Sequence, residues 1–121
     1  MGYVYYNPNP KGKSSFDCTV RAISAIYNLS WHEAYHELCW AGDVECNMPS
    51  TNDSIDLVMR NGGYTKKFCE GCQSIAQFAD HHREGRYLLM TGGHVVAVID
   101  GNYYDALNTG SEKPEYYYSR S

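Results

Sequence analysis

Positive charge is scarce in this chain: Lys and Arg total 10 against 14 Asp and Glu, a net charge of −4. A basic face large enough to neutralise a nucleic-acid backbone is therefore not expected. Long apolar runs are missing as well. The longest, Val95 to Ile99, falls far short of the roughly 20 residues of a spanning helix. The opening Met1-Gly2-Tyr3 lacks a basic n-region and an apolar h-region, so no secretory signal is expected. Internal repeats and linkers are absent too. With 121 residues, two independent cores would each be too small to stand alone. These absences point to a single cytoplasmic domain with neither membrane nor nucleic acid as partner.

What is present is a globular balance, 43% hydrophobic and 20% charged. Cysteine occurs in odd number: Cys18, Cys39, Cys46, Cys69 and Cys72. Without a signal segment, that count favours reduced thiols with separate roles over a disulfide scaffold. Tyrosine is abundant, at 12 residues, and clusters at both ends (Tyr3, Tyr5, Tyr6; Tyr116, Tyr117, Tyr118). Such segments suit edge strands whose rings pack while the hydroxyls reach water.

Periodicity divides the chain into a helical part and an extended part. After a Pro- and Gly-punctuated loop over 7–15, Cys18 to Tyr27 reads as a helix with Asp17 at its N-cap. A second helix starts at a Ser30/Glu33 capping box, buries Trp31, Ala34, Tyr35 and Leu38, and ends at Gly42. A third runs through Ile55 to Met59 and stops at Gly62-Gly63. A fourth opens at Ser74-x-x-Gln77 and ends near Gly85. From Arg86 the period becomes extended: Tyr87–Thr91, His94–Ile99 and Asn102–Ala106 predict three strands, the last two joined by Asp100-Gly101 as a hairpin turn. The expected class is α+β, with N-terminal helices packed on one side of a small antiparallel sheet.

The chemistry centres on Cys18. A thiol at a helix N-terminus feels unpaired backbone N–H groups and the positive end of the dipole, which favour the nucleophilic thiolate. Arg21, one turn on, is placed to neutralise Asp17. His94 heads the most apolar strand directly after Gly92-Gly93, a position that gains nothing for packing. If Asp100-Gly101 forms a two-residue type I′ turn, Ile99 pairs with Asn102. Asp105 then shares a face with His94, one diagonal step away and within reach of the imidazole. A register shifted by one residue turns Asp105 to the opposite face and promotes Asn108.

A cysteine opening an early helix, a histidine after glycines and an Asp or Asn on the next strand resemble the papain-like cysteine peptidases. The branch most similar is the small bacteriocin-leader-processing peptidases, where Asp-Cys opens the helix as Asp17-Cys18 does here. The motifs Asn-Pro-Asn-Pro-Lys-Gly-Lys, Asp-Cys-Thr-Val-Arg-Ala-Ile and Gly-Gly-His-Val-Val-Ala-Val-Ile-Asp-Gly also resemble small proteins encoded by phages of Gram-positive bacteria, whose setting is the host cytoplasm. The papain-like resemblance implies a Cys18–His94–Asp105 triad that hydrolyses a peptide or isopeptide through a thioester, with no cofactor and no metal. The family's Gln about six residues before the nucleophile is missing, since position 12 is Gly and residues 1–17 hold no Gln. Asn9, with Asn7 as the alternative, is the nearest side-chain amide to complete an oxyanion hole with the Cys18 N–H; before proline, both asparagines equally suit plain turn chemistry. Deamidation or acyl transfer on the same triad, and an inactive scaffold that binds a host protein, are the other readings.

Two metal patterns carry less weight. Cys69-x-x-Cys72 with His81-His82 lacks a standard zinc spacing, because adjacent histidines do not easily face one ion. His32-Glu33-Ala34-Tyr35-His36 has the letters of a zincin helix. Its histidines, however, flank the expected buried stripe, and Glu33 belongs to the capping box.

Overall fold

The structure, a computed structural model, describes residues 2–13, 17–69 and 73–120. Cys72 of the Cys-x-x-Cys pair lies outside the described residues. The class is α+β: strand β1 (Gly2–Tyr5), helices α1 (Cys18–Tyr27), α2 (Trp31–Glu45) and α3 (Asn52–Asn61), strand β2 (Thr65–Phe68), helix α4 (Ile75–His81), and strands β3 (Arg86–Met90), β4 (Val95–Ile99), β5 (Asn102–Asp105) and β6 (Tyr116–Ser119).

The strands form one sheet in the order β1-β5-β4-β3-β6-β2. The expected meander β3-β4-β5 is its centre, and Ile99 pairs with Asn102 as the type I′ turn requires, with Asp100 and Gly101 at φ 50° and 85°. The sheet is larger than expected and is mixed rather than purely antiparallel, because β1 joins β5 in parallel. The Tyr-rich ends are both strands. Only β1 is an edge, however; β6 lies inside, between β3 and β2. The polar β2, Thr-Lys-Lys-Phe with every residue exposed, takes the other edge.

Helices cover both faces, not one. Along β3 and β4, Leu88, Met90, Val95 and Ala97 face a core with α1, α2 and α3. The alternate residues Leu89, Val96 and Val98 meet Ile75, Phe78 and Ala79 of α4. This period-2 division explains why Val95–Ile99 reads as an unbroken apolar run: both faces of the strand are buried.

Local signals place the helices. Ser30 and Ser74 each make the reciprocal capping box with Glu33 and Gln77. Helix α2 does not stop at Gly42 but continues to Glu45, with Cys46 as a left-handed C-cap. Gly42 serves packing instead: a Cβ there would stand 2.7 Å from the Asn47 carbonyl oxygen, where the following loop crosses the helix. Tyr35, expected in the buried stripe, is 42% exposed, while Ala34 and Leu38 are buried. Helix α4 ends at His81, short of Gly85. Among the described residues, no helix is long and apolar enough to cross a membrane.

Candidate active site

Cys18 is the first residue of α1, so the N–H groups of its turn have no partner within the helix. Asp17 occupies the N-cap position, yet its side chain makes no capping bond. Its carboxylate is taken elsewhere: Oδ1 accepts from Arg21 Nη2 at 2.8 Å, and Oδ2 accepts from Trp31 Nε1 at 2.9 Å and Asn9 Nδ2 at 3.4 Å. The expected Asp17–Arg21 pairing is thus present and the expected capping is not.

Arg21 carries the network inward. While Nη2 holds Asp17, Nη1 donates to Asp105 Oδ1 at 3.1 Å. Arg21, Asp17 and Asp105 are 4%, 6% and 1% exposed, so this is a buried carboxylate–guanidinium–carboxylate chain. Asp105, the last residue of β5, also accepts from its neighbour's N–H, Ala106, at 2.7 Å, from Thr109 Oγ1 at 2.8 Å and from His94 Nε2 at 2.6 Å. A carboxylate with four donors is held tightly as the anion. Burial opposes its ionisation, but the bonds from His94, Thr109 and Ala106 outweigh that and hold Asp105 below the ordinary carboxylate value.

His94 stands one residue before β4, in a turn closed by the Thr91 N–H donating to the His94 carbonyl at 2.9 Å. Its Nε2 is committed to Asp105, which leaves Nδ1 as the ring nitrogen for Cys18. Asp105 foremost, then the hydrogen bond with Cys18, push the imidazole up to about 10 against the opposing effect of burial. Burial raises the Cys18 thiol, but hydrogen bonds from His94, the Val95 N–H and Thr19, with the charge of His94, bring it below its ordinary value. These opposite shifts favour a thiolate–imidazolium pair. Two carboxylates, one guanidinium and one imidazolium balance, so the Cys18 thiolate is the surplus charge of the group, at the positive end of α1.

Cys18 and His94 line an open cavity of about 610 Å³ between α1, the start of α3 and the β3–β4 turn. The two glycines before His94 do not admit a neighbouring backbone. A Cβ on Gly93 would meet nothing within 4 Å, and one on Gly92 would meet only a Glu115 carboxylate oxygen at 4.0 Å. They border open cavity instead.

The other expected site residues are placed differently. Asn9 does not line that cavity. Its side-chain oxygen accepts from Lys11 N–H at 2.9 Å in a local turn and its amide is directed to Asp17, so the oxyanion role expected of it is not met. Asn7 likewise makes turn contacts, accepting from the Asn9 N–H at 3.3 Å and donating to the Lys13 carbonyl at 3.3 Å. Asn108 accepts from Tyr103 Oη and the Gly110 N–H at 2.8 and 3.0 Å, closing the turn after β5, while Asp105 takes the place beside His94. Among the described residues no group of three His, Cys, Asp or Glu could hold a metal. His81 and His82 turn to Gln73 and to the Phe78 carbonyl, and His32 and His36 are exposed.

Arg21's link to Asp105 is the contact of this site that sequence reading missed. The pair is 84 residues apart, and the i,i+4 spacing to Asp17 accounted for Arg21 without it. No family model matches the chain, and no curated protein or solved structure matches it either.

Proposed function

We propose that this protein is a thiol-dependent amide hydrolase of the cysteine-peptidase type, with Cys18 as nucleophile, His94 as acid–base and Asp105 as the carboxylate that orients it. The observation that carries the reading is one imidazole bonded at Nε2 to a buried aspartate, 2.6 Å away, and also to a thiol at the mouth of an open cavity. The order Cys, His, Asp and the position of each on its element suit the papain-like resemblance.

The steps follow from the geometry. The Cys18 thiolate attacks the substrate carbonyl carbon, and its electron pair displaces the carbonyl π pair onto oxygen. The Cys18 backbone N–H, unpaired within α1, is one donor for that oxyanion. His94 gives its Nδ1 proton to the departing amine as the C–N bond breaks, leaving a thioester. The neutral imidazole then takes a proton from water, whose oxygen attacks the thioester; the C–S bond breaks, and acid and thiolate are released. Asp105 remains ionised throughout and keeps Nε2 protonated, so that Nδ1 is the nitrogen that exchanges.

An irreversible thiol-peptidase probe on the intact protein, with peptide mapping, tests the assignment. Labelling is expected at Cys18 and is expected to disappear in Cys18→Ala and to fall about 10²-fold or more in His94→Ala. Labelling that survives in His94→Ala at the wild-type rate ends the proposal. The turn of Asn9 towards Asp17, away from the cavity, favours a second reading: a binding protein on an inactive peptidase-like scaffold, in which Cys18 reacts no faster than a free thiol.

A further inference from the structure

The proposed mechanism leaves Asp17 without a role, and its position is unfavourable. An anion directly before Cys18 disfavours the thiolate, and the capping bond that would suit an aspartate at the start of α1 is absent. Three donors hold its carboxylate elsewhere: Arg21 Nη2 at 2.8 Å, Trp31 Nε1 at 2.9 Å and Asn9 Nδ2 at 3.4 Å.

The geometry of Arg21 shows what that carboxylate does. A guanidinium commonly meets a carboxylate as a fork, with two N–H groups on one partner. Here the fork is split: Nη2 donates to Asp17, Nη1 donates to Asp105 Oδ1 at 3.1 Å, and Nε is buried with no partner among the described residues. Asp105 also accepts from His94 Nε2 at 2.6 Å, on its other oxygen. One carboxylate therefore holds two cations, whose mutual repulsion works against the imidazolium. Arg21, Asp17 and Asp105 are 6% exposed or less, so water screens that repulsion little. A second carboxylate on the guanidinium offsets it.

We propose that Asp17 is a positioning residue: by holding Arg21 through Nη2 it stops that cation from closing a fork on Asp105, and so keeps His94 the stronger base. The inference rests on the proposed hydrolase reading for its catalytic meaning, a thiolate–imidazolium pair that persists to higher pH. The other titratable groups around His94 do not supply this offset. Cys18 on α1 is its direct partner, and Tyr3 on β1 donates to the Asp105 main-chain carbonyl at 3.1 Å. Tyr116 on β6 has its hydroxyl raised by burial and is neutral, and Asp56 on α3 is taken by Arg60 and Tyr118. Glu115 borders the shared cavity but is exposed to water. None of them bonds Arg21.

The test reads His94 without the reaction. In Cys18→Ala the thiol is gone, and the His94 ring signals can be followed by NMR against pH, assigned by their loss in Cys18→Ala/His94→Gln. Adding Asp17→Asn is expected to lower the His94 midpoint by about one pH unit. Trp31→Phe, which removes a hydrogen bond to Asp17 and leaves the charge, is expected to move it by no more than about 0.3. If the new amide group facing Trp31 Nε1 unfolds the protein, Trp31→Phe against Asp17→Asn/Trp31→Phe, both in Cys18→Ala, reads the same loss of charge. A midpoint that stays or rises when the Asp17 charge is removed, or that falls as far in Trp31→Phe, overturns the inference. With Cys18 present, the pH midpoint of its alkylation by iodoacetamide is also expected to fall in Asp17→Asn, because the thiolate loses an adjacent anion. A rise there means a loosened His94 and overturns the inference as well. Both downward shifts without labelling of Cys18 by the thiol-peptidase probe support the role of Asp17 and sink the hydrolase reading. Labelling with an unmoved His94 midpoint sinks the role of Asp17 and spares the hydrolase reading.

Discussion

At the scale of single residues, Asp105 does two jobs that a neutral side chain cannot share. It stabilises the imidazolium of His94 and balances the buried charge of Arg21. Asp105→Asn is expected to lower kcat by about 10²–10⁴. It should also lower the pH at which His94 gives up its proton, seen as a shift of the alkaline limb of kcat/KM below the value near 10 expected for the wild type. In the proposed mechanism Cys18 supplies the acid limb. Because its thiol is lowered, alkylation by iodoacetamide at about pH 6, where ordinary thiols are protonated, is expected at Cys18 and is expected to slow sharply in His94→Ala. Mass spectrometry of the alkylated peptides checks this. In the proposed mechanism Arg21, bonded to Asp17 and Asp105, is a positioning residue rather than a catalytic one. Arg21→Met leaves two buried carboxylates without their shared cation and is expected to cost about 3–5 kcal/mol in denaturant unfolding. Arg21→Met combined with Asp17→Asn should recover part of the stability, since one of the two stranded charges is gone.

At the scale of elements, the helix starts were legible because their signals are local. Ser30 with Glu33 and Ser74 with Gln77 each satisfy two orphan N–H groups within a four-residue stretch. Ser74→Ala is expected to destabilise by about 1 kcal/mol, a change readable in thermal unfolding. Helix α1 has the residue of a cap without its bond, because Arg21 and Trp31 outcompete the first-turn amides for Asp17; that competition leaves the amides beside Cys18 free of an Asp17 cap. The end of α2 was misread because Gly42 looks like a terminator, whereas its missing Cβ makes room for the backbone of residues 47–49. Gly42→Ala should cost about 1–3 kcal/mol by overpacking, despite the gain in helix propensity. The strand β2 was invisible for the opposite reason: its four residues are exposed and half of them are lysines, so no burial pattern marks it.

At the scale of the molecule, the ionisable network makes stability depend on pH in a direction that can be worked out. His94 holds its proton more tightly folded than unfolded, so its contribution is full below its ordinary 6.5 and is lost as pH rises towards about 10. Asp105, lowered on folding, contributes above the ordinary carboxylate range and is lost as pH falls through its own value. Cys18, also lowered, gains as pH rises towards the ordinary thiol value and softens the alkaline decline. The difference in unfolding free energy between Cys18→Ala and Cys18→Ala/His94→Gln, in which the thiol is absent, is therefore expected to be largest near pH 5–6 and to shrink steadily above about 6.5. A difference that grows with pH contradicts the assignment of His94 as the protonated partner.

What the sequence by itself determined was short in range: the limits of α1, the two capping boxes, the type I′ turn and, through its register, the face shared by His94 and Asp105. Each follows from residues a few positions apart, whose spacing translates directly into geometry. Tertiary structure alone decided that a parallel β1 completes the sheet, that α4 covers its second face, and that Arg21 reaches across to Asp105 while Asn9 turns to Asp17. The first two are settled by strand pairing and apolar burial, and the last two by which buried charge finds which partner once the helices close over the sheet. A competition of that kind is decided by distances between residues remote in the chain, which leave no period or spacing to read.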